Sequence, residues 1–360
     1  MRVEVKPKPT EALLPTGIVQ QTAFWSRVKA RLGWAPEAFD ILAGRRGDAP
    51  ADMLIVRRRV GGEASVAYAP FGPEYLPDEG ERGVLLEGIS EDLRPLLPKD
   101  CIFLRFDLPW ESPYARDPGR FDAEGNWMGA PDPAIRELRM NCGTERRTLR
   151  KAPTDIMPPD TVVVDLAPDE KEILGRMKPK TRYNIGLAGR RGIRVCEAGE
   201  AGLPAWYALY AETAKRNGFV LHGIDQFAAV LAESGGAARA HLLLASRDGE
   251  ILAGMILAVA GPRATYLYGA SSDRGRDAMP SYALQWAAMR LARAAGAVEY
   301  DLFGCAPRPD PEHPLHGLWR FKTGFGGRLV HRQGCWDYPF DPEAYDLWRA
   351  RETVSAGFHS

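Results

Sequence analysis

The chain has 360 residues, with 47 basic and 47 acidic side chains, 45% hydrophobic and 26% charged, so its formal net charge is zero. At ~100–200 residues per domain this length predicts two domains, each able to bury a core. The balance of charge excludes a uniformly basic surface while leaving room for a local patch, no apolar run reaches the ~18 residues of a membrane span, and the start MRVEVKPKPTEALLPTG lacks a secretory h-region.

In QQTAFWSRVKARLGW (20–34), Phe24, Val28 and Leu32 recur at helical spacing and predict an amphipathic helix carrying Lys29. Residues 53–71, MLIVRRRVGGEASVAYAPF, predict two strands about a Gly61-Gly62 turn. A helix is expected at 80–97, then an apolar strand at 101–107, CIFLRFD, closed by Asp107. The Gly-, Pro- and Asp-rich stretch 112–133 predicts a long surface excursion. In APTDIMPPD (152–160) three prolines stop regular structure and mark a linker. A strand, TVVVDL, and a helix starting within 168–177 follow. HLLLASRDGEILAGMILAVAG predicts a hairpin turning at Asp248-Gly249, ATYLYGASS another strand, YALQWAAMRLARAAGA a helix, and AVEYDLFG a strand with Asp301.

Hairpin, helix, strand and acid thus occur twice. The repeat predicts α/β architecture with two tandem GNAT-like (N-acetyltransferase-like) domains, the first over 1–160 and the second over 161–330. The tail 331–360 carries Trp336, Tyr338, Phe340, Tyr345 and Trp348. Those aromatics need a surface to cover, so the tail is expected to pack back on the first domain.

Three features bear on chemistry. The window 171–194 holds eight basic residues (Lys171, Arg176, Lys178, Lys180, Arg182, Arg190, Arg191, Arg194) against one acid, Glu172. On the charges alone it reads equally as a solvated helix face or as a surface for backbone phosphates. Second, a coenzyme A-dependent GNAT enzyme needs a Gly-rich turn whose N–H groups hold a pyrophosphate. ASSDRGRDAMPSYAL and ERGVLLEG, at the equivalent places, do not provide one. No cofactor is expected, and an acyl group would come from another donor. Third, in GLWRFKTGFGG (317–327) Lys322 sits between Phe321 and three glycines. The residues alone favour a surface lysine on a bulged strand over a cation placed to meet an oxyanion. The six histidines show no metal-ligand spacing, so no metal is expected. The scattered Cys101, Cys142, Cys196, Cys305 and Cys335 suit a reducing cytoplasm, the expected location.

KPKTRYNIGLAGRRGIRV resembles the K-x-R-x-N-I-x-x-A-x-x-x-G-V element of the Fem peptidyltransferases (FemA, FemB and FemX). YLYGASS, P-x-Y-A-L-Q-W, YDLFG and GLWRFKTGFGG follow in the family's order, and F-W-x-x-V-K-x-x-x-G-W and FLRFD also match. The resemblance covers roughly 20–340. It implies two GNAT-like domains and transfer of an aminoacyl group from aminoacyl-tRNA to an amine on the stem peptide of a peptidoglycan precursor, a step in cell-wall synthesis. It also implies roles. Lys322 with Phe321 would lie at the acyl ester, and Asp107 near the acceptor amine. Lys29 would contact precursor phosphates, with His222, Gln226 and Tyr268 lining the precursor site. Lys178, Lys180, Arg182, Arg190, Arg191 and Arg194 would meet tRNA phosphates. Where family members acting on UDP-MurNAc-pentapeptide carry an arginine and a tyrosine, RNGFVLHGIDQF has His222 and Gln226. A neutral histidine holds diphosphate less firmly than an arginine fork. The difference favours the lipid-linked precursor, lipid II, and peripheral contact with the inner membrane leaflet. The alternative is a GNAT-like acyltransferase acting on a different amine or polysaccharide with another acyl donor.

Overall fold

The structure, a computed structural model, describes residues 2–43, 51–61, 64–233 and 236–354. The chain divides into two units. Unit 1 takes the segment ending at Leu14, Gln20–Asp160 and the segment from Val330 on; unit 2 takes Pro15–Val19 and Thr161–Leu329. In chain order unit 1 contains β1 (Val3–Lys8), α1 (Ala23–Arg31), β2 (Ala35–Ala43), β3 (Ala51–Gly61), β4 (Ala64–Ala69), α2 (Arg82–Leu93), β5 (Cys101–Glu111), α3 (Pro133–Met140) and β6 (Arg150–Lys151). Next come β7 (Asp160–Asp165), α4 (Glu170–Arg176), α5 (Pro179–Arg190), β8 (Arg194–Glu197), α6 (Leu203–Asn217) and α7 (Ile224–Ala232). β9 (Ala238–Arg247), β10 (Glu250–Ala260), β11 (Arg263–Ser271), α8 (Pro280–Ala294), β12 (Glu299–Gly304) and α9 (His316–Lys322) follow. β13 (Arg328–Pro339) then leads the chain back into unit 1, where α10 (Pro342–Val354) ends it.

Each unit builds its sheet by the same rule. In unit 1 the order is β1-β2-β3-β4-β5-β13, with β6 on β13. In unit 2 it is β7-β12-β11-β10-β9-β8. β4 pairs with β5 in parallel, and β11 with β12 in parallel, whereas the hairpins before them are antiparallel. A parallel neighbour needs a crossover, which α2 supplies in unit 1 and α8 in unit 2. This recurrence is the GNAT-like arrangement.

Burial explains why these crossovers are helices. Leu85, Leu86, Ile89 and Leu93 of α2 are buried against Ile55, Leu104 and Phe106. Leu284, Ala288, Met289 and Ala292 of α8 do the same against Met255, Leu257 and Tyr300. Each large side chain so buried stabilises its unit by ~1.5–3 kcal/mol. Gly83 lets α2 pass close to the end of α3, since a Cβ there would fall 1.7 Å from the Met140 carbonyl oxygen. At the β9–β10 turn Asp248 and Gly249 have φ of 52° and 81°, the backbone a tight hairpin requires. Gly62, half of the other expected turn, lies outside the described residues.

The structure corrects three local readings. Asp107 does not close its strand: β5 continues to Glu111, because L-P-W stays paired with β13 through a register shift between Arg332 and Gly334 that tolerates Pro109. Asp301 likewise lies inside β12. The GLWRFK segment is helical, with Lys322 buried at the end of α9. A side chain placed in the core favours the helix over a bulged strand.

The tail is held by charge as well as by its rings. Arg105 of β5 is fully buried and donates from Nε and Nη2 to Asp337 (2.6 and 2.7 Å) and from Nη1 and Nη2 to Glu352 (2.7 and 2.8 Å). Tyr345 donates to Asp337 at 3.0 Å, and Trp348 Nε1 to Glu352 at 3.2 Å. Tyr345 and Trp348 also pack on Phe103 at 5.4 and 5.8 Å. Two enclosed carboxylates depend on one guanidinium. Arg105→Ala is therefore expected to cost ~3–5 kcal/mol, read as a lower urea midpoint with an unchanged m-value. A loss below ~1 kcal/mol would show that water reaches these carboxylates.

Candidate active site

In unit 2, Lys322 is 4% exposed. Its Nζ donates to the carbonyls of Phe303 (3.0 Å) and Gly304 (2.6 Å) and lies 5.4 Å from the centre of the Tyr266 ring. The carbonyls face it because β12 breaks its ladder between Asp301 and Gly304, where Phe303 takes φ of 59°. A bulky residue adopts that left-handed backbone only under constraint. The constraint is Asp301, whose Oδ1 accepts from Thr161 Oγ1 (2.5 Å) and from the Phe303 N–H (2.8 Å). Burial pulls Lys322 down to about 8, against the opposing pull of Cys305 and Asp301. An ammonium has three donors, and two of them are committed.

Phe321 points elsewhere, packing edge-on to Tyr282 (5.0 Å) and Phe325 (5.2 Å). It lines a cavity of about 520 Å³ with Lys178, Lys180, Tyr282, His316, Trp319 and Arg320. Lys178 Nζ donates to Thr323 Oγ1 at 3.3 Å and lies 5.5 Å from the Trp319 ring. Among the described residues Trp319 Nε1 and His316 Nδ1 have no hydrogen-bond partner, although their rings stack at 6.1 Å. A cationic, aromatic cavity with polar atoms to satisfy suits a nucleotide. Sequence reasoning missed His316, Trp319 and Tyr282. The i, i+3 spacing of His316 and Trp319 would have placed them on one face had the segment been read as a helix.

The basic window separates into two sets, although all its cations are exposed. Arg182 donates to the backbone carbonyls of Leu174 (3.4 Å), Gly175 (3.2 Å) and Met177, and so finishes α4. Arg191 pairs with Asp277, and Arg176 with Asp165 and Glu172. Among the described residues Lys178, Lys180, Arg190 and Arg194 pair with no carboxylate. Elsewhere in unit 2, Gln226 Nε2 donates to the Tyr268 hydroxyl at 3.1 Å, and Tyr207 donates to the His222 carbonyl at 3.0 Å. The structure thus joins Gln226 of α7 to Tyr268 of β11 and places His222 two residues before α7 begins.

Unit 1 holds the other two candidates. Asp107 is fully buried, and its Oδ2 accepts from the Tyr68 hydroxyl and the Met157 N–H, both at 3.0 Å. Burial, with the charge of Asp155, pushes it up to about 7. Lys29 lies over Trp25 (5.3 Å) and Trp34 (4.9 Å), the latter shared with Arg58. Burial first and Arg58 second pull Lys29 down to about 8. No carboxylate pairs with it among the described residues, so an anionic ligand would relieve it.

Comparison with known proteins gives a consistent result. The FemAB family model matches residues 14–249 and 237–352. The chain is 39% identical over 100 residues to the lipid II:glycine glycyltransferase of Staphylococcus aureus (strain USA300), which is 28% of this chain and 24% of that protein. It is 39% identical over 106 residues to the enzyme of that name from Staphylococcus haemolyticus (strain JCSC1435), 29% of this chain and 25% of that protein. The match thus spans about a quarter of the length of these relatives. The crystal structure of FemX superposes with a TM-score of 0.74 at 20% identity, covering 96% of this chain and 100% of that one, which shows a shared fold.

The lowered affinity of Lys322 for its proton has a consequence for stability. Folded Lys322 releases its proton near 8, whereas an ordinary lysine does so at 10.5. Between those values the unfolded chain binds more protons, so stability rises with pH across that window. The stability of the parent protein minus that of Lys322→Met should therefore increase from pH 8 to 10 in urea unfolding. A constant difference would mean that the two carbonyls hold the ammonium charged throughout.

Proposed function

The chain belongs to the FemAB family, and on that premise we propose that it transfers an aminoacyl group from aminoacyl-tRNA to an amine on the stem peptide of a peptidoglycan precursor. The observation that carries this reading is α9. One turn of helix puts Phe321 on the cationic, aromatic cavity and Lys322 in a buried clasp with one N–H uncommitted. The cavity suits the terminal adenosine of the donor, with Lys178 and Lys180 at its phosphates.

The acceptor nitrogen attacks the ester carbonyl carbon and forms the amide bond. The carbon–oxygen bond to the ribose breaks, the nitrogen loses a proton, and the ribose oxygen gains one. The third N–H of Lys322 stabilises the oxyanion of the tetrahedral intermediate. Asp107, enclosed and shared with Tyr68, positions the acceptor side. Lys29 takes a precursor phosphate in its aromatic box. His222 and Gln226, in place of an arginine and a tyrosine, support the lipid-linked acceptor over the UDP-linked one. The names of the relatives, lipid II:glycine glycyltransferases, support the same choice.

Incubation with a mixture of charged tRNAs and lipid-linked precursor should give amino acid transfer that RNase abolishes. Transfer that survives RNase would point to another donor and refute the proposal. Lys322→Ala should lower kcat by ~10²–10³ with little change in acceptor KM, and Lys29→Ala should chiefly raise that KM. Changing Lys178 and Lys180 together to alanine should flatten the salt dependence of tRNA binding by ~1.4–1.8. The pair Arg182 and Arg191 should leave the slope nearly unchanged, because the fold already uses them.

A further inference from the structure

The ammonium of Lys322 is enclosed without a counterion. Its Nζ donates to two backbone carbonyls, and it pairs with no carboxylate among the described residues. Burial works against that charge, so keeping it needs a favourable neighbour. The titratable groups that face it are few. Asp301 of β12 and Cys305, just beyond that strand, both favour the charged form. Tyr300 of β12 is pushed well up by burial, stays neutral, and donates to Gln285 of α8 at 2.7 Å. Tyr266 of β11 remains, with its ring face 5.4 Å from Nζ.

Three features of β11 place that ring. The parallel ladder with β12 ends at Thr265 and Asp301. Beyond it come Tyr266 on one strand and the left-handed turn at Phe303 on the other. On its other side β11 shifts register against β10: Leu257 faces Tyr266 and Ile256 faces Tyr268, which leaves Leu267 as an extra residue. A bulge of this kind re-aims a side chain. The ring then leans along its own strand, because a Cβ at Gly269 would fall 1.6 Å from the Tyr266 hydroxyl. Only glycine at 269 admits it.

We propose that Tyr266 is a positioning residue for Lys322: its ring face keeps the ammonium charged and held where β11 and β12 part, a task in which a carboxylate would neutralise it. A ring face attracts a cation within ~6 Å of its centroid, most strongly where water is excluded. That attraction acts on the charge and leaves the third N–H for the oxyanion. Burial pushes Tyr266 up to about 12, so the ring stays a neutral phenol across the range in which Lys322 titrates. The inference rests on the reading of Lys322 as an oxyanion donor and adds the group that maintains its charge.

The test is an NMR titration of Lys322 in the full chain carrying isotope-labelled lysine, its signal assigned by loss in Lys322→Met. No substrate is present, so the outcome does not depend on acyl transfer. Tyr266→Phe is compared with the same substitution bearing one or three ring fluorines, which keep the size of the ring while weakening its negative face. The Lys322 midpoint should fall stepwise with fluorine, by about half a unit or more from the plain ring to the trifluorinated one. In aminoacyl transfer the alkaline limb of kcat should move down with it, while acceptor KM holds. A midpoint indifferent to fluorine, or raised by it, would overturn the proposal. So would a midpoint that falls while the pH profile of transfer stays in place. Absence of transfer by the parent chain would refute the acyl-transfer reading instead, and the titration would still decide the part played by the ring.

Discussion

The candidate chemistry rests on a lysine ammonium enclosed by two backbone carbonyls. Lys322 occupies the core of unit 2 only because Phe303 turns left-handed and presents its own and the following carbonyl to Nζ. Phe303 holds that turn because Asp301 accepts its N–H. The Y-D-L-F-G motif and the R-F-K motif are therefore one device, in which an acid braces a strained turn and the turn holds a cation. Backbone carbonyls suit the task better than a carboxylate would. They orient the ammonium without neutralising it, leaving its charge for an oxyanion.

Unit 2 arranges its remaining cations with the same economy. Arg182 finishes the end of α4 and Arg191 pairs with Asp277, while Lys178 and Lys180, beside an aromatic cavity, pair with no carboxylate among the described residues. A window that looks uniform in sequence is thus two populations, one serving the fold and one facing outward. Helical periodicity requires such a split, because cations spread over α4, α5 and β8 cannot share one face. In unit 1 the same logic appears as ion pairing. Arg105 is held by two carboxylates and fixes the tail, whereas Lys29 lies over two tryptophans and pairs with no carboxylate among the described residues.

Much of this was legible in the residues. Asp248-Gly249 announced its hairpin, and the alanine-rich 282–297 stretch announced the crossover helix, since local chemistry fixes turns and periodicity fixes faces. The parallel neighbours of β4 and β11 follow from a helix between two strands. What escaped were features set by distant contacts. The glycines after Lys322 suggested a strand, but they serve close approaches: a Cβ at Gly326 would meet the Arg176 carbonyl at 2.5 Å. Helix α3 escaped because its eight residues are fewer than the span over which helical periodicity declares itself. The apolar run CIFLRFD suggested a strand ending at Asp107, yet a register shift in β13 absorbs Pro109 and lets β5 run on to Glu111.

The central claim, that charged Lys322 acts on the transition state, is tested most directly by the pH dependence of single-turnover aminoacyl transfer. If the ammonium stabilises the oxyanion, the rate should fall as pH rises through about 8, where Lys322 loses its proton. That falling limb should vanish in Lys322→Arg, whose guanidinium stays charged. A limb near pH 8 that instead rises, and depends on Lys322, would make the neutral amine a base and contradict the account.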